Sequence, residues 1–454
     1  MKLLIKKSVV FFALSLNMLF FVDCSSFNKV DYKCENCNIL FILVDTLMAD
    51  HVSSYGYYRN TSPNIDHFAE DAILFENVRS QASCTYPSVP SILTSKYAHN
   101  FLKINRRKTI PDHIKSVAEI LKEKNYNTFA VSANPIVRKT PHEKYKFAGF
   151  DKGFDSFDEE CLNKRAPCLN EKFFKFIKNS SRPFFAYLHY MDPHATYSSP
   201  IKKFSKAYGG ENEFIGRGNF KPIKEKLYEN GSYIYTKKDL DYLIDSYDDE
   251  IAFFDSQFEV LIDKLTEENL HNTIVIISSD HGEEFLEHGD IAHCHNLFNE
   301  TNKVPLIIKI PGVEKKGRRK AWTQNIDIVP TLLDYLGFNL KNYDFDGKSL
   351  RPVIETNKSI NDYVYSLQNT LRSANNEQHK LIYDIGSKKF LLFDLINDKN
   401  ERENLFTFEG KISEILKEKL LKWLYVTEGK NVSSKQNVDD SKEILKKLKE
   451  IGYL

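Results

Sequence analysis

Asn38-Ile39-Leu40-Phe41-Ile42-Leu43-Val44-Asp45 is the stretch that decides the fold. An unbroken apolar run from Ile39 to Val44 is what a strand buried on both faces of a parallel sheet requires, since a half-solvated strand would alternate apolar and polar side chains. Asp45 closes the run, and the C-terminal edge of a parallel sheet is where ligands and reacting groups gather. Runs of the same character recur at Thr128–Val131, Phe184–Leu188, Thr273–Ile277 and Val304–Ile308. Between them lie helical spacings: Ile114 to Lys124, where Ile114, Val117 and Leu121 share a face, and Tyr247 to Leu265. Strands alternating with helices predict a doubly wound α/β sheet.

Outward from this centre, 454 residues suffice for one large domain with a smaller appendage. A hydrophobic share of 42% supports a packed core. Lys and Arg total 63 against 62 for Asp and Glu, so no broad positive field favours nucleic acid as a partner. Residues 1–23 read as a signal peptide: Met1 to Lys7 carries three lysines, and Ser8 to Val22 is a mainly apolar stretch of 15 residues. That is short of the roughly 20 apolar residues of a spanning helix. Phe21-Val22-Asp23-Cys24-Ser25-Ser26 looks like a bacterial lipoprotein cleavage site, with Asp23 where a small residue is usual. Cys24 is then either a lipid-bearing point of membrane attachment or an ordinary residue of a secreted or anchored chain; each reading places the protein outside the cytoplasm, in the periplasm or at the cell surface. Residues 24–37 form a polar tether, 38–350 the main domain, and 351–454 a small C-terminal α+β subdomain that contains Lys389–Leu395 and a charged helix from Ser441 to Glu450. A polar stretch from about 200 to 240 reads as an insertion near the substrate opening.

Cys34 and Cys37 suit a small disulfide or metal clip, and Cys161 and Cys168 a short closed loop, as in an oxidising compartment. A local disulfide or free thiols is the preferred reading over zinc, because a CxxC without a second pair is a weak zinc signal.

Asp45 and Ser278-Ser279-Asp280-His281-Gly282-Glu283-Glu284 both follow apolar strands and are expected on one sheet edge. Singly, Asp45 is better explained as a cap or turn residue, and Asp280-His281-Gly282 as a turn after a strand. Together they offer two carboxylates and an imidazole, a set suited to one divalent cation of the calcium, magnesium, manganese or zinc range.

The chain from Asn38 through Asp50, with Tyr55-Gly56-Tyr57 and Ser62-Pro63-Asn64-Ile65-Asp66, resembles the opening of the sulfatases and their relatives in the alkaline phosphatase superfamily. Asp192-Pro193-His194, Asp280-His281-Gly282-Glu283, Val304-Pro305-Leu306-Ile307 and Asp327-Ile328-Val329-Pro330-Thr331-Leu332 are similar to the family in the same order. So are Phe393-Asp394-Leu395, Glu401 with Asn404-Leu405, and the closing Leu448–Leu454. The resemblance implies a large mixed, mostly parallel sheet between helices and a metal-dependent hydrolase of sulfate or phosphate esters. Asp45, Thr85, Asp280 and His281 are implied as metal ligands, with Thr85 as nucleophile and His194 and His293 as groups that bind substrate oxygens or protonate the leaving group.

The nucleophile segment departs from the usual pattern. Counting back from Ile92-Leu93-Thr94-Ser95, Thr85 stands where sulfatases carry the Cys or Ser converted to formylglycine, and Val89 replaces an arginine. Threonine cannot become formylglycine, so the aldehyde-hydrate route would require Cys84 in a shifted register. Ser132-Ala133-Asn134-Pro135 stands where a lysine motif is usual. A threonine nucleophile resembles that of phosphoethanolamine transferases and lipoteichoic acid synthases, in which an alkoxide attacks phosphorus or sulfur and water or an alcohol releases the intermediate. Without the resemblance, Thr85 is better read as a turn or cap before a helix starting near Ser88. The expected substrates are sulfated or phosphorylated small molecules, glycans or lipid headgroups. Transfer of a phospho-headgroup and a non-catalytic binding role are the alternatives; known transferases carry several membrane helices, whereas this chain has one short apolar segment. His189, on an apolar strand, reads as a core residue, and Cys294 and His295 as incidental neighbours of His293.

Overall fold

The computed structural model describes residues 32–101, 109–144, 147–180, 183–210, 236–407 and 410–428. The expected signal peptide, Cys24, the first part of the tether, most of the 200–240 insertion, the helix from Ser441 to Glu450 and the closing Leu448–Leu454 lie outside these residues.

The quoted run forms β1 (Asn38–Val44), buried along its whole length. It lies at the centre of the sheet because both its edges pair in parallel: with β5 (Phe184–Tyr190) on one side and β6 (Thr273–Ser278) on the other. β3 (Asn127–Ser132) continues beyond β5, followed by β4 (Ser156–Asp158), again in parallel. On the far side of β6 lies β9 (Leu306–Lys309), which runs antiparallel to β6 and to β2 (Ile73–Arg79). β10 (Gly317–Gln324) pairs in parallel with β2 and ends that side. Among the described residues the order is thus β10-β2-β9-β6-β1-β5-β3-β4, a large mixed sheet in which only β9 is reversed. β7 (Glu284–Phe285) and β8 (Ile291–Ala292) make a small separate hairpin.

Helices cover the sheet. α1 (Pro63–Glu70) and α4 (Ala166–Asn179) pack on α5 (Lys237–Glu267), and Ile65, Phe173, Tyr247, Phe254 and Phe258 share a core with Leu40, Ile42 and Val44. The 31-residue α5 is longer than Tyr247 to Leu265 because Thr236 and Asp239 form a reciprocal capping box more than two turns before Tyr247. Conversely α3 (Val117–Lys122) starts later than Ile114, because Ser116 caps it through the amide of Glu119 and Glu119 returns the bond. Two polar strands escape the apolar pattern: β10 is an edge strand with several charged side chains, and β2 carries Glu76 and Asn77.

After residue 350 the chain makes a second, antiparallel sheet of β11 (Val364–Gln368), β12 (Leu371–Asn375), β13 (His379–Asp384) and β14 (Lys389–Asp394). Leu381, Tyr383 and Leu392 of this sheet pack on Leu416, Leu420, Trp423 and Leu424 of a helix over Lys411–Glu428, forming the small C-terminal α+β unit.

Candidate active site

Four parallel strands deliver their C-terminal ends to one edge. Asp45 follows β1, with its amide donating to Tyr190 O at 2.9 Å; Asp280 and His281 follow β6; Asn134 follows β3; and His189 and His194 lie on and after β5. Thr85 comes from another quarter, the N-terminus of α2 (Thr85–Thr94), where Tyr86 and Pro87 are non-helical and the regular turns begin at Ser88. Thr46, directly after Asp45, has φ +57°, a conformation a β-branched residue adopts only when its surroundings enforce it. The enforcing contacts are Tyr247, whose hydroxyl donates to Thr46 O at 2.7 Å, and Ser279, whose hydroxyl receives the Leu47 amide at 3.0 Å. The Thr46 amide thereby also reaches the Asp280 carboxyl.

Asp45, Asp280 and His281 present ligand atoms within 4.8 Å of one another, all three side chains fully buried. His281 Nε2 lies 3.7 Å from Asp45 Oδ1 and 3.6 Å from Asp280 Oδ2. Both of those carboxylate oxygens are buried without a hydrogen-bond partner. Thr85 Oγ1 is 3.5 Å from Asp45 Oδ2 and 3.3 Å from His281 Nε2. His281 Nδ1 faces the Gly282 carbonyl at 2.9 Å; a carbonyl only accepts, so Nδ1 carries a proton. Burial, then the neighbouring His293, pushes the His281 pKa down to about 3, so the ring is neutral and its Nε2 lone pair points at the two orphaned oxygens.

The carboxyl groups respond oppositely to confinement. Burial, together with the charge of Asp45, holds Asp280 well above the usual carboxylate range. Burial would raise Asp45 as well, but His189, with Nε2 3.5 Å from Asp45 Oδ2, and the nearby imidazoles of His194 and His281 reverse that and keep it ionised. Two buried carboxyl groups and a neutral imidazole with unsatisfied oxygens aimed at one point fit a divalent cation, which would satisfy both oxygens and remove the repulsion. Asp45 Oδ1, Asp280 Oδ2, His281 Nε2 and Thr85 Oγ1 are the atoms that would hold it.

Two side chains at the site were given no site role from sequence. Asn134 donates through Nδ2 to Asp45 Oδ2 and reaches Thr85 Oγ1 at 3.4 Å. His189 is fully buried, as its core reading expects, but its Nε2 is 3.5 Å from Asp45 Oδ2, so it belongs to the site as well as to the sheet. Its other nitrogen meets the Tyr187 hydroxyl at 3.0 Å. His293 and His194 stand together, ring centroids 5.3 Å apart, and His293 lies 4.4 Å from His281. His293 Nδ1 is 2.7 Å from Glu283 Oε1, and His295 Nε2 is 2.6 Å from Glu284 Oε2.

The cysteines correct two expectations. Cys84 is disulfide-bonded to Cys294, which removes Cys84 as a source of formylglycine in this state and shows that Cys294 is no incidental neighbour. Cys34–Cys37 and Cys161–Cys168 form the two local bridges.

Residues 37–338 match the sulfatase family. The chain belongs to the sulfatase family. Residues 287–425 also match the family described as N-sulphoglucosamine sulphohydrolase, C-terminal, which spans the α+β unit. This sulfatase-family chain is 24% identical over 356 residues to an ulvan-active sulfatase of Formosa agariphila, covering 78% of the chain and 65% of that protein. It is 22% identical over 526 residues to the N-acetylglucosamine-6-O-sulfatase of Bacteroides thetaiotaomicron, covering 95% of the chain and 92% of that protein. Its fold matches a structure solved in complex with the substrate D-glucosamine-2-N,6-O-disulfate, with a TM-score of 0.68 at 18% identity over 88% of this chain and 100% of that one.

Proposed function

We propose that the protein hydrolyses a sulfate ester carried by a sugar or glycan, with Thr85 as nucleophile and one divalent cation held by Asp45, Asp280, His281 and Thr85. The observation that carries this reading is the Thr85 hydroxyl, 3.5 Å from Asp45 and 3.3 Å from His281, beside two orphaned carboxylate oxygens. The bound cation would supply charge neutralisation for the ester's oxyanions and a lowered pKa for the hydroxyl beside it. Asn134 and His189 orient Asp45, and His281 enters as a neutral ring. Thr85 Oγ1 gives up its proton to solvent and forms a bond to sulfur while the bond from sulfur to the sugar oxygen breaks; protonated His293 or His194 gives the departing oxygen its proton and takes one back from solvent. Water then attacks the Thr85 sulfate ester, returning the hydroxyl and releasing sulfate with a proton.

The sugar sulfates named for the relatives support the substrate class. The three disulfides suit an oxidising compartment, in keeping with export and, through Cys24, with attachment to a membrane. Turnover of aryl and sugar sulfates by the purified protein, loaded in turn with calcium, magnesium, manganese and zinc, is the test. Thr85→Ala is expected to lower kcat at least about a thousandfold with its fold intact, because the nucleophile is removed. Undiminished turnover by Thr85→Ala would overturn the assignment.

A further inference from the structure

We propose that the Cys84–Cys294 disulfide is a positioning device that holds His293 against the nucleophile for leaving-group protonation, an inference that rests on the roles given above to Thr85 and His293. Cys84 immediately precedes Thr85, and Cys294 immediately follows His293; the bridge joins them across 210 residues with Cα atoms 4.7 Å apart. The other two bridges span 3 and 7 residues, so among the described residues this is the bridge that ties distant parts of the chain together.

The backbone around His293 needs such a tie. Ala292 has φ +76° and Cys294 φ +75°, so the histidine is flanked on both sides by left-handed non-glycine residues. Both conformations are strained for residues with a Cβ, and such a segment keeps its shape only where its surroundings impose it. The hairpin that carries the loop is short, two residues in each strand. Besides the side-chain contacts of His293 with Glu283 and of His295 with Glu284, further restraints gather at the bridge: the Cys294 amide donates to Ser83 O at 2.8 Å, and the Ser83 hydroxyl donates to Asn296 O at 2.5 Å. From the C-terminal unit, Gln368 and Asn369 donate to Cys294 O at 3.2 and 3.0 Å. The cystine therefore sits where the nucleophile helix, the histidine loop and the C-terminal unit meet. Cutting it frees a strained loop to relax, which moves His293 while leaving Asp45, Asp280 and His281 on their strands.

The experiment compares the oxidised wild type with Cys84→Ala/Cys294→Ala, and with Cys34→Ala/Cys37→Ala as a control for the loss of a bridge remote from Thr85. Turnover is measured on sulfates whose leaving groups run from 4-nitrophenol, which departs without a proton, to an aliphatic alcohol, which needs one. The expected result is a loss below about threefold on 4-nitrophenyl sulfate and about a hundredfold on the alkyl sulfate, the scale of a positioned general acid. The control should match the wild type on both. Equal losses on all leaving groups, or no loss, would overturn the proposal.

Hydrogen exchange read by mass spectrometry provides a second arm that needs no turnover. Exchange across residues 286–296 should rise at least about tenfold in the Cys84→Ala/Cys294→Ala protein, while β1 and β6 stay protected. Unchanged protection of that loop would also overturn it. If the wild type cleaves no ester with any cation, the hydrolase reading fails by itself, and the exchange result still decides whether the bridge holds the loop.

Discussion

Asn134 gives up one of its amide hydrogens to Asp45 and stands 3.4 Å from Thr85, so it fixes the carboxylate that faces the nucleophile. A hydrogen bond to a charged group is worth about 1.5–3 kcal/mol. Asn134→Ala should therefore lower kcat/KM by about ten- to a hundredfold, with little change in Tm, in the same aryl sulfate assay. Unchanged kinetics would mean that Asp45 is oriented by His189 alone. Asp45, Asp280 and His281 were legible in the sequence because each follows an apolar strand, and strand ends share an edge. Asn134 follows a strand too, at a position where the family resemblance directs attention to a missing lysine; that an amide fills the place depends on a side-chain direction no spacing encodes. His189 shows the opposite difficulty: alternation marks it as inside, and burial and a place beside Asp45 prove compatible. The Cys84–Cys294 pairing was hidden because connectivity across 210 residues follows from tertiary packing alone.

At the scale of elements, α1 depends on α5 for its cap. Ser62 makes no side-chain cap bond, and Asp255 of α5 instead receives the amides of Asn64 and Ile65, the latter at 2.8 Å. Burial pushes the Asp255 pKa up to about 6 from an ordinary 3.8. A carboxyl raised in the folded state favours folding at low pH, and that contribution is lost as pH rises from about 4 through 6. At 1.36 kcal/mol per pH unit the loss approaches about 3 kcal/mol. Asp255→Asn keeps an acceptor for both amides and no longer titrates. The stability of wild type minus that of Asp255→Asn, from urea unfolding at pH 4 and pH 7, should fall as pH rises; a constant or rising difference would show that the helix amides compensate the charge. Apolar strands were readable because both faces are buried, whereas β10 was not, since an edge strand tolerates Arg318, Arg319 and Lys320. Helix ends drifted where a cap, not an apolar face, sets the boundary, as at Ser116 and Thr236.

Across the whole molecule, a buried ion pair inside the C-terminal unit carries that unit's contacts to the main domain. Lys380 of β13 meets Glu401 at 2.7 Å with both side chains fully buried, and it also donates to Leu297 O at 3.0 Å. Glu401 receives the Asn299 amide at 2.7 Å, and Arg79 of β2 donates to the Asn299 side chain at 3.0 Å. Removing one partner of a buried pair costs about 3–5 kcal/mol, while replacing both costs far less. Thermal unfolding should thus show a large fall in Tm for Lys380→Met and substantial recovery in Lys380→Met/Glu401→Gln; no recovery would place the stabilisation in the backbone contacts of Lys380. This coupling also carries the Gln368 and Asn369 donors to the Cys294 loop, so the small unit contributes to the site's geometry. That a small α+β unit follows residue 350 was readable from shorter apolar pieces, but its joint with the main domain rests on Lys380 and Glu401, whose contacts at Leu297 and Asn299 lie 83 and 102 residues away in sequence. Mass spectrometry of the Thr85 peptide, after acid quench of the metal-loaded enzyme turning over an aryl sulfate, tests the mechanism most directly. One sulfo group on Thr85, absent in Asp45→Asn and in enzyme without substrate, is the predicted result. Steady turnover with Thr85 unmodified and the sulfo group, or an aldehyde, at residue 84 would contradict it.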